Sequence, residues 1–341
     1  MNRKGFLSLL GMGGLGTALN SSFLVNYSTN KLTKPKRLQL GDTIGLVSPA
    51  SRLPKRKEYG KIVRQIKSLG YNVKVGANAK KHYGGLAGKD EQRAADLNAM
   101  FADNAVDAIL PFRGGWGSNR ILELIDYDII RKNPKILVGF SDITSLLLAI
   151  YAKTGLVTFH GPVGKSDWTD YTIRHFREAL TKQDKVMLKT PENNFCGDCN
   201  KLNVITPGKA TGRLLGGNLS VLTAMVGSDY LPNWHGSLLF VEDVGEDFYR
   251  IDRMITQLKL SGILDQISGF IFGQCANCKK SSSYSLPLNR VLEDHIKPLG
   301  IPAFSGAMFG HISNTMTLPE GVMAEMDAAK GTIQLEEVAT S

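Results

Sequence analysis

Apolar residues in the first half of the chain follow two alternating spacings. Short apolar runs that end in small residues predict buried strands, and apolar positions three or four residues apart predict helices between them. The predicted strands lie within residues 41–51, 71–75, 106–110, 136–139 and 157–159, and the predicted helices span residues 55–69, 90–101 and 143–152. Strands that alternate with helices of this length indicate a parallel sheet covered on both faces.

The pattern changes after residue 165. Residues 167–199 are polar and are predicted to be irregular, and short strands separated by glycine and proline follow. These later strands are predicted within residues 209–214, 238–241, 270–272 and 322–326, with helices at 218–225, 251–260 and 288–296. The predicted fold class is therefore α/β, with an N-terminal parallel-sheet domain of flavodoxin- or Rossmann-like type and a C-terminal α+β domain with a mostly β core.

The predicted domain limits follow from these changes of pattern. Residues 1–37 are interpreted as a leader and linker, and residues 38–165 as the N-terminal domain. Residues 166–205 are a linker or insert, and residues 206–335 form the C-terminal domain.

The positive charge of the chain is concentrated in its leader. The formal net charge is +10, and residues 1–37 contain six basic residues and no acid, so the remainder carries 10 − 6 = +4. No basic face interleaved with aromatic residues is present, so a nucleic-acid partner has little support. No segment is long and apolar enough to span a membrane. The sequence does not determine the oligomeric state, and a homodimer is one alternative.

The leader is similar to an export signal. Arg3 and Lys4 precede a short apolar run at residues 5–12, as in a twin-arginine signal with lysine in place of the second arginine. We therefore expect a periplasmic or otherwise exported protein whose mature form begins between residues 20 and 37. The alternative is a cytoplasmic protein with an N-terminal tail.

Four cysteines form two pairs with the same spacing, Cys196 with Cys199 and Cys275 with Cys278. Two such pairs can provide the four thiolates of a structural zinc site, or they can form disulfides within or between the pairs in an oxidising compartment. A redox dithiol is a third alternative. A structural role, zinc or disulfide, is favoured, and no cofactor is expected for catalysis.

A glycine-dense turn at residues 113–118 ends a predicted buried strand and is expected to open into an amphipathic helix. Such a turn places backbone N–H groups and a helix N-terminus near a bound anion or a developing oxyanion. Ser118 supplies a hydroxyl at the junction, where it is either a nucleophile or only the N-cap of the helix.

Two later residues complete a possible acyl-transfer site. Glu242 ends an apolar strand, where a carboxylate is either paired or functional, and the adjacent Asp243 points to the opposite face. His311 follows a run of small and apolar residues, where it is either a base or a satisfied core residue. Hydroxyl, imidazole and carboxylate are the three components of a nucleophile–base–acid triad. Arg250 and Arg253 follow Glu242 on a predicted helical stretch, where they are either salt-bridge partners or ligands.

Several motifs in order along residues 38–330 resemble the LD-carboxypeptidase family, which includes muramoyltetrapeptide carboxypeptidases and microcin C immunity peptidases. They are Arg113-Gly114-Gly115-Trp116-Gly117-Ser118, Asp126-Tyr127, Pro134-Lys135, Gly139-Phe140-Ser141-Asp142-Ile143-Thr144, Phe159-His160-Gly161-Pro162, Leu214-Leu215-Gly216-Gly217-Asn218-Leu219, Phe240-Val241-Glu242-Asp243-Val244-Gly245-Glu246, Tyr249-Arg250-Ile251-Asp252-Arg253-Met254 and Gly310-His311.

This resemblance implies a serine carboxypeptidase. It places the nucleophile on Ser118, the base on His311 and the orienting carboxylate on Glu242. The implied substrate is a murein tetrapeptide, cleaved between the L-centre of its diamino acid and the terminal D-Ala. The alternatives are an immunity-type peptidase that cleaves an acyl-sulfamoyl-nucleotide and a murein-peptide binding module without catalytic activity.

Residues of the glycine-dense turn complete the predicted site. The backbone N–H groups of Gly115 and Asn119 are expected to hold the oxyanion. Arg113 or Arg120 is expected to bind the terminal carboxylate of the peptide, and Trp116 to line its pocket.

Overall fold

The structure is a computed structural model, and it describes residues 31–182, 184–190, 201–280 and 282–341. The predicted leader up to residue 30 and the first cysteine pair therefore lie outside the described residues. Two sheets organise the described part of the chain, and their strands are numbered in chain order. No helix within these ranges combines the length and the apolar character needed to cross a membrane.

The first sheet has six strands in the order β12-β5-β4-β3-β1-β2. These strands are β1 (Thr43–Val47), β2 (Asn72–Val75), β3 (Ala108–Pro111), β4 (Ile136–Gly139), β5 (Thr158–His160) and β12 (Leu318–Glu320). The first five pair in parallel, and only β12 is antiparallel to its neighbour β5. The carboxyl ends of β1, β3, β4 and β5 therefore meet at one edge of the sheet, where ligands bind in folds of this type.

The second sheet has eight strands in the order β6-β14-β13-β8-β9-β10-β11-β7. These strands are β6 (Met187–Lys189), β7 (Asn203–Thr206), β8 (Lys209–Asn218), β9 (Leu238–Val244), β10 (Gly269–Ala276), β11 (Ala303–Ser305), β13 (Met323–Asp327) and β14 (Thr332–Leu335). Its centre, β8-β9-β10-β11, is parallel, and the outer strands are antiparallel. The predicted combination of an N-terminal parallel sheet and a C-terminal mixed domain is confirmed.

Eight α-helices among the described residues cover and join the sheets. They are α1 (Arg56–Ser68), α2 (Asp90–Ala102), α3 (Tyr127–Lys132), α4 (Thr144–Thr154), α5 (Asp170–Thr181), α6 (Leu219–Ala224), α7 (Phe248–Leu260) and α8 (Leu288–Ile296). Helix α1 is amphipathic, and it buries Tyr59, Ile62 and Ile66 at three- and four-residue spacings. Helix α4 is apolar on almost every side because it contacts β4 and β5 of the first sheet and β8 of the second.

Two of the segments that differ from the predicted local structure are residues 170–181 and the helix after the glycine-dense turn. The prediction of irregular structure is wrong over residues 170–181, where Thr169 caps helix α5 and the helix buries Phe176 and Leu180. Its other face is polar, so the apolar stripe is narrow. The glycine-dense turn opens into a short 3-10 helix, Asn119–Leu124, rather than the predicted amphipathic α-helix. Ser118 makes no side-chain capping bond at this helix, so it is not an N-cap in the usual sense.

The two halves of the chain are joined at several places. Strand β12 lies late in the sequence but extends the first sheet next to β5. Near the N-terminal end of the described residues, the Thr33 amide donates to the Gly155 carbonyl, and Lys34 forms a 2.7 Å ion pair with Glu337. The segment from residue 31 onward is therefore packed against the folded part of the chain.

Candidate active site

Glu242 and His311 form a hydrogen-bonded pair at the carboxyl end of β9. Nδ1 of His311 lies 2.7 Å from Oε2 of Glu242. The Glu242 side chain is fully buried, and Asn218 Nδ2 donates to its other oxygen at 3.2 Å. Gly310 has a φ of +116°, and a Cβ there would lie 2.8 Å from Glu242 Oε2, so a glycine is needed for the histidine loop to approach this closely. The predicted contact between the two side chains is present.

The electrostatics of this pair favour the ionised carboxylate and a basic imidazole. Burial raises the pKa of Glu242, but the charge and hydrogen bond of His311 outweigh it, so the pKa is lowered overall. Burial lowers the pKa of His311, and Glu242 raises it by more, so the net shift is upward. A carboxylate that accepts from Nδ1–H leaves Nε2 as the basic nitrogen, as general-base catalysis requires.

Asp243, beside Glu242, shares the Asn218 Nδ2 donor with it, at 3.3 Å, and has further donors of its own. The hydroxyl and the amide of Ser220 both donate to its carboxylate, at 3.1 and 3.0 Å. Burial and the charge of Glu242 raise the pKa of Asp243 to about 6. As the strand geometry predicts, only one of the two acids, Glu242, contacts His311.

Ser118 is completely buried, and its hydroxyl is already hydrogen-bonded. Its Oγ donates to the carbonyl of Asp142 and lies 2.7 Å from Oγ of Ser145, while its amide donates to Asp142 Oδ2 at 2.8 Å. These bonds tie the glycine-dense turn to the turn that follows β4. Ser118 thus lies at the carboxyl edge of the first sheet, whereas Glu242 lies in β9 of the second sheet.

Ser141 differs from Ser118 in its backbone conformation and in the surroundings of its hydroxyl. It directly follows β4, is half-buried and adopts a φ of +61°, a left-handed conformation that is unfavourable for a residue with a side chain. No hydrogen bond from another described residue occupies its hydroxyl. The ring of the preceding residue, Phe140, packs 4.8 Å from the His311 ring, so the Ser141 turn contacts His311 through Phe140.

The segment Gly139-Phe140-Ser141 has the form of a nucleophile elbow, a strained strand-to-helix turn that exposes a serine. A Cβ at Gly139 would lie 2.7 Å from Ile143, so a glycine is needed there. The resemblance to the LD-carboxypeptidase family placed the nucleophile on Ser118, and that assignment stays a prediction. Ser141 stands in the motif Gly139-Phe140-Ser141-Asp142-Ile143-Thr144, but residue types alone do not distinguish the two serines.

Backbone groups of the two turns meet at Ser141. A Cβ built on Gly114 would lie 3.2 Å from Ser141 Oγ and 3.3 Å from the amide nitrogen of Asp142. The Gly114–Gly115 peptide and the Asp142 amide therefore flank the hydroxyl. Of the two predicted oxyanion donors, the Gly115 amide belongs to this peptide, whereas Asn119 is an exposed residue beyond Ser118.

The predicted substrate-binding residues differ in how strongly they are held. Arg120 makes a bidentate ion pair with Asp90, with contacts of 2.8, 3.0 and 3.2 Å. Arg113 makes a single weak bond, at 3.4 Å, to the carbonyl of Arg52. The Trp116 side chain is 53% exposed on the rim of the turn. Arg113 and Trp116 are thus available to a ligand, whereas the Arg120 guanidinium is already paired with Asp90.

One cysteine pair can be located. Cys275 and Cys278 lie at disulfide distance at the end of β10, and Cys275 is in register with Asp243 of β9. Cys196 and Cys199 lie outside the described residues. Within the described ranges, no three His, Cys, Asp or Glu side chains are grouped closely enough to hold a metal ion.

Comparison with known families covers both halves of the chain. The model of the LD-carboxypeptidase N-terminal domain matches residues 44–161, and that of the LD-carboxypeptidase C-terminal domain matches residues 211–326. A probable murein peptide carboxypeptidase of Bacillus subtilis is 41% identical over 317 residues, which are 92% of this chain and 96% of that protein.

Solved structures give the same result. The structure of MccF in complex with glutamyl sulfamoyl guanosine has a TM-score of 0.82 and 28% identity, over 90% of this chain and 99% of that one. A muramoyltetrapeptide carboxypeptidase from Oxalobacter formigenes has a TM-score of 0.74 and 31% identity, over 86% of this chain and 97% of that one. Both the sequence and the fold are thus similar to these proteins over nearly their whole length.

Proposed function

Because the chain belongs to the LD-carboxypeptidase family of serine peptidases, we propose that it hydrolyses murein tetrapeptides between the diamino acid and the terminal D-Ala. Similarity to a probable murein peptide carboxypeptidase along almost the entire chain supports this substrate class. The observation that carries the chemistry is the buried 2.7 Å contact between Glu242 and His311 beside the strained turn of Ser141.

The proposed nucleophile is Ser141 rather than Ser118. His311 Nε2 removes the proton from Ser141 Oγ, which attacks the carbonyl carbon of the diamino acid. The imidazolium is stabilised by Glu242 and then protonates the leaving amine of D-Ala. Water, activated by the same imidazole, hydrolyses the acyl-enzyme and regenerates the serine.

The proposed oxyanion site consists of backbone amides. The Asp142 N–H follows the nucleophile directly, and the Gly115 N–H belongs to the peptide that lies against Ser141. One correctly placed donor of this kind lowers the barrier by roughly 3–4 kcal/mol. We assign Ser118 the role of holding the Asp142 turn, through its bonds to the Asp142 carbonyl and carboxylate.

Release of a single terminal residue requires recognition of its free carboxylate. We assign this role to Arg113, whose guanidinium is close to the Gly115 turn and is weakly held. Trp116 is assigned to the wall of the peptide site because of its exposure at the same turn.

Two alanine variants test the function and the nucleophile together. Purified wild-type protein should release D-Ala from a murein tetrapeptide, and Ser141→Ala should lose this activity almost completely. Ser118→Ala should retain measurable kcat, because it removes a buried anchor and not the reacting atom. Loss of turnover in Ser118→Ala with normal turnover in Ser141→Ala would instead assign Ser118, and normal turnover in both would reject both serines as the nucleophile. A wild-type protein that binds the tetrapeptide but releases no D-Ala would favour a binding module.

An immunity-type activity is the second candidate. It is favoured by the similarity to MccF, whose structure contains glutamyl sulfamoyl guanosine. The same triad chemistry would apply to an acyl-sulfamoyl-nucleotide. Comparing kcat/KM for a murein tetrapeptide and for glutamyl sulfamoyl adenosine distinguishes the two, and a higher value for the nucleotide would replace the proposed substrate.

We also propose that the protein is exported, on the basis of its leader. Since residues from Thr33 onward pack on the folded chain, the cleavage site is expected before residue 31. N-terminal sequencing of the protein from a periplasmic fraction tests this, and an intact Met1 on cytoplasmic protein would contradict it.

The two cysteine pairs are proposed to be structural. The spacing in Cys275 and Cys278 permits a local disulfide, and Cys196 and Cys199 can form a second one or join a shared zinc site. A zinc assay together with a free-thiol count decides, and four reactive thiols without zinc would contradict both roles.

A further inference from the structure

His160 is a fully buried histidine without a hydrogen-bond partner. It ends β5, between β4 and β12, and neither Nδ1 nor Nε2 is bonded to another described residue. Leaving a buried polar group unpaired is destabilising, because the group gives up its hydrogen bonds to water and gains none in the protein. An apolar side chain would avoid this cost, so the histidine calls for an explanation other than stability.

Three phenylalanine rings surround the imidazole. The ring centroids of Phe240, Phe309 and Phe140 lie 5.5, 5.9 and 6.2 Å from that of His160, all in edge-to-face arrangements. Phe240 and Phe309 also contact each other, at 5.6 Å. Such pairs are stabilising beyond the burial of their apolar area, and they restrict the rings to defined angles. We refer to these four residues as the aromatic platform.

Each phenylalanine of the platform is a near neighbour in sequence of one proposed catalytic residue. Phe140 precedes Ser141. Phe240 lies two residues before Glu242, on the same face of β9. Phe309 lies two residues before His311, across Gly310, and Phe140 in addition packs on the His311 ring. His160 therefore contacts all three segments that carry the site.

The charged groups that act on His160 are Glu242 and His311. Burial lowers the pKa of His160 to about 4, although the charge of Glu242 opposes this shift and that of His311 adds to it. The imidazole is therefore neutral at ordinary pH. Glu242 is hydrogen-bonded to His311 and not to His160, which is an uncharged ring in the platform.

We propose that His160 is a positioning residue, which fixes the Ser141 turn, Glu242 and His311 relative to one another through the three phenylalanines. The inference rests on the proposed function and adds a residue that does not touch the substrate. Displacement of reacting groups by about 1 Å can cost 100-fold in rate, so loss of the ring should affect kcat.

The test replaces the ring while leaving the catalytic residues intact. His160→Leu is close in volume but lacks a flat ring, and we expect kcat to fall at least 10-fold with KM changed less than about 3-fold. Phe101→Leu is the matched control, since it replaces another fully buried ring, in α2. The control should lower thermal stability and leave kcat unchanged.

His160→Phe restores an edge-to-face ring and should retain kcat within about 3-fold. It also decides the outcome if His160→Leu does not fold. A folded His160→Leu with wild-type kcat, or a folded His160→Phe with a 10-fold loss, would overturn the proposal.

A second readout needs no substrate. NMR titration of His311 in wild type should show a raised pKa, and in His160→Leu a lower one, because the contact with Glu242 is less well held. If the wild type releases no D-Ala but this shift is observed, the proposed function fails and the positioning role remains. An unchanged His311 titration would reject the positioning role even if the wild type is active.

Discussion

At the scale of single residues, the contact between Glu242 and His311 determines the pH dependence. His311 accepts a proton only when neutral, so kcat/KM should rise as pH increases through its pKa. Burial lowers that pKa and Glu242 raises it by more. The midpoint of the acid limb of the pH–rate profile should therefore lie above the ordinary pKa of histidine.

Glu242→Gln keeps the shape of the side chain and removes its charge. The acid limb of kcat/KM should then move to lower pH, and kcat should fall by roughly 10⁴-fold, the size of effect known when a triad carboxylate becomes an amide. A pH–rate profile of both proteins measures this. An acid limb at the same pH in the variant would show that Glu242 does not set the pKa of the catalytic base.

The two arginines near the turn allow a matched comparison of carboxylate recognition. Arg113→Gln should raise KM for the tetrapeptide at least 10-fold with a smaller change in kcat, because a charge-assisted contact to the substrate is lost. Arg120→Gln, which removes only an ion pair with Asp90, should change KM less than about 2-fold. The opposite ranking of the two KM values would transfer the assignment to Arg120.

At the scale of elements, the packing of the two turns against each other controls the site. Gly114 has no positive φ, so alanine is tolerated by its backbone, but the new Cβ would lie 3.0 Å from Ser141 Cβ. Gly114→Ala should therefore lower kcat at least 10-fold by moving the Ser141 turn.

Gly60 provides the control for this variant. It lies in helix α1 and has only the end of Arg64 within reach of a new Cβ, at 3.5 Å. Gly60→Ala should leave kcat unchanged and raise the free energy of unfolding by about 0.5–1 kcal/mol, since alanine is the better helix former. Steady-state kinetics and urea unfolding of both variants make the comparison, and wild-type kcat in Gly114→Ala would show that the turns do not constrain each other.

The sequence was sufficient to predict those strands and helices whose apolar residues follow a regular, uninterrupted pattern. The run at residues 238–241 predicted β9 and placed Glu242 at its end, because apolar residues in a buried parallel strand are continuous and the acids interrupt them. Helix α5 was missed, since its charged outer face dominates the composition and its apolar face is narrow.

The choice between Ser118 and Ser141 could not be made from residue types alone. Both serines follow apolar strands in glycine-containing turns. What distinguishes them is three-dimensional: the hydroxyl of Ser118 is bonded to Asp142 and Ser145, and the backbone of Ser141 has a positive φ. Local residue composition predicts neither a tertiary hydrogen bond nor a strained backbone dihedral angle.

At the scale of the whole molecule, the site depends on both halves of the chain. The Ser141 turn belongs to the first sheet, and Glu242 lies in the second. Thr144 Oγ1 accepts from the Asn218 amide at 2.9 Å, which joins the start of α4 to the end of β8 beside the site.

A fragment of residues 31–165 should therefore not form a stable domain. It would expose the edge of β5 that β12 covers and the side of α4 that packs on β8, and an uncovered edge strand promotes aggregation. Light scattering and circular dichroism of the purified fragment measure this. A monomeric fragment with cooperative unfolding would contradict the prediction.

Strand β12 also restricts how relatives can be recombined. It lies at residues 318–320, inside the part that matches the C-terminal family model, yet it belongs to the sheet of the N-terminal part. A chimaera made with one crossover near the middle of the gene would set a β12 from one parent against a β5 from the other. Recombination that respects the fold needs further crossovers on either side of β12, so that these three residues are inherited with the strand they pair with.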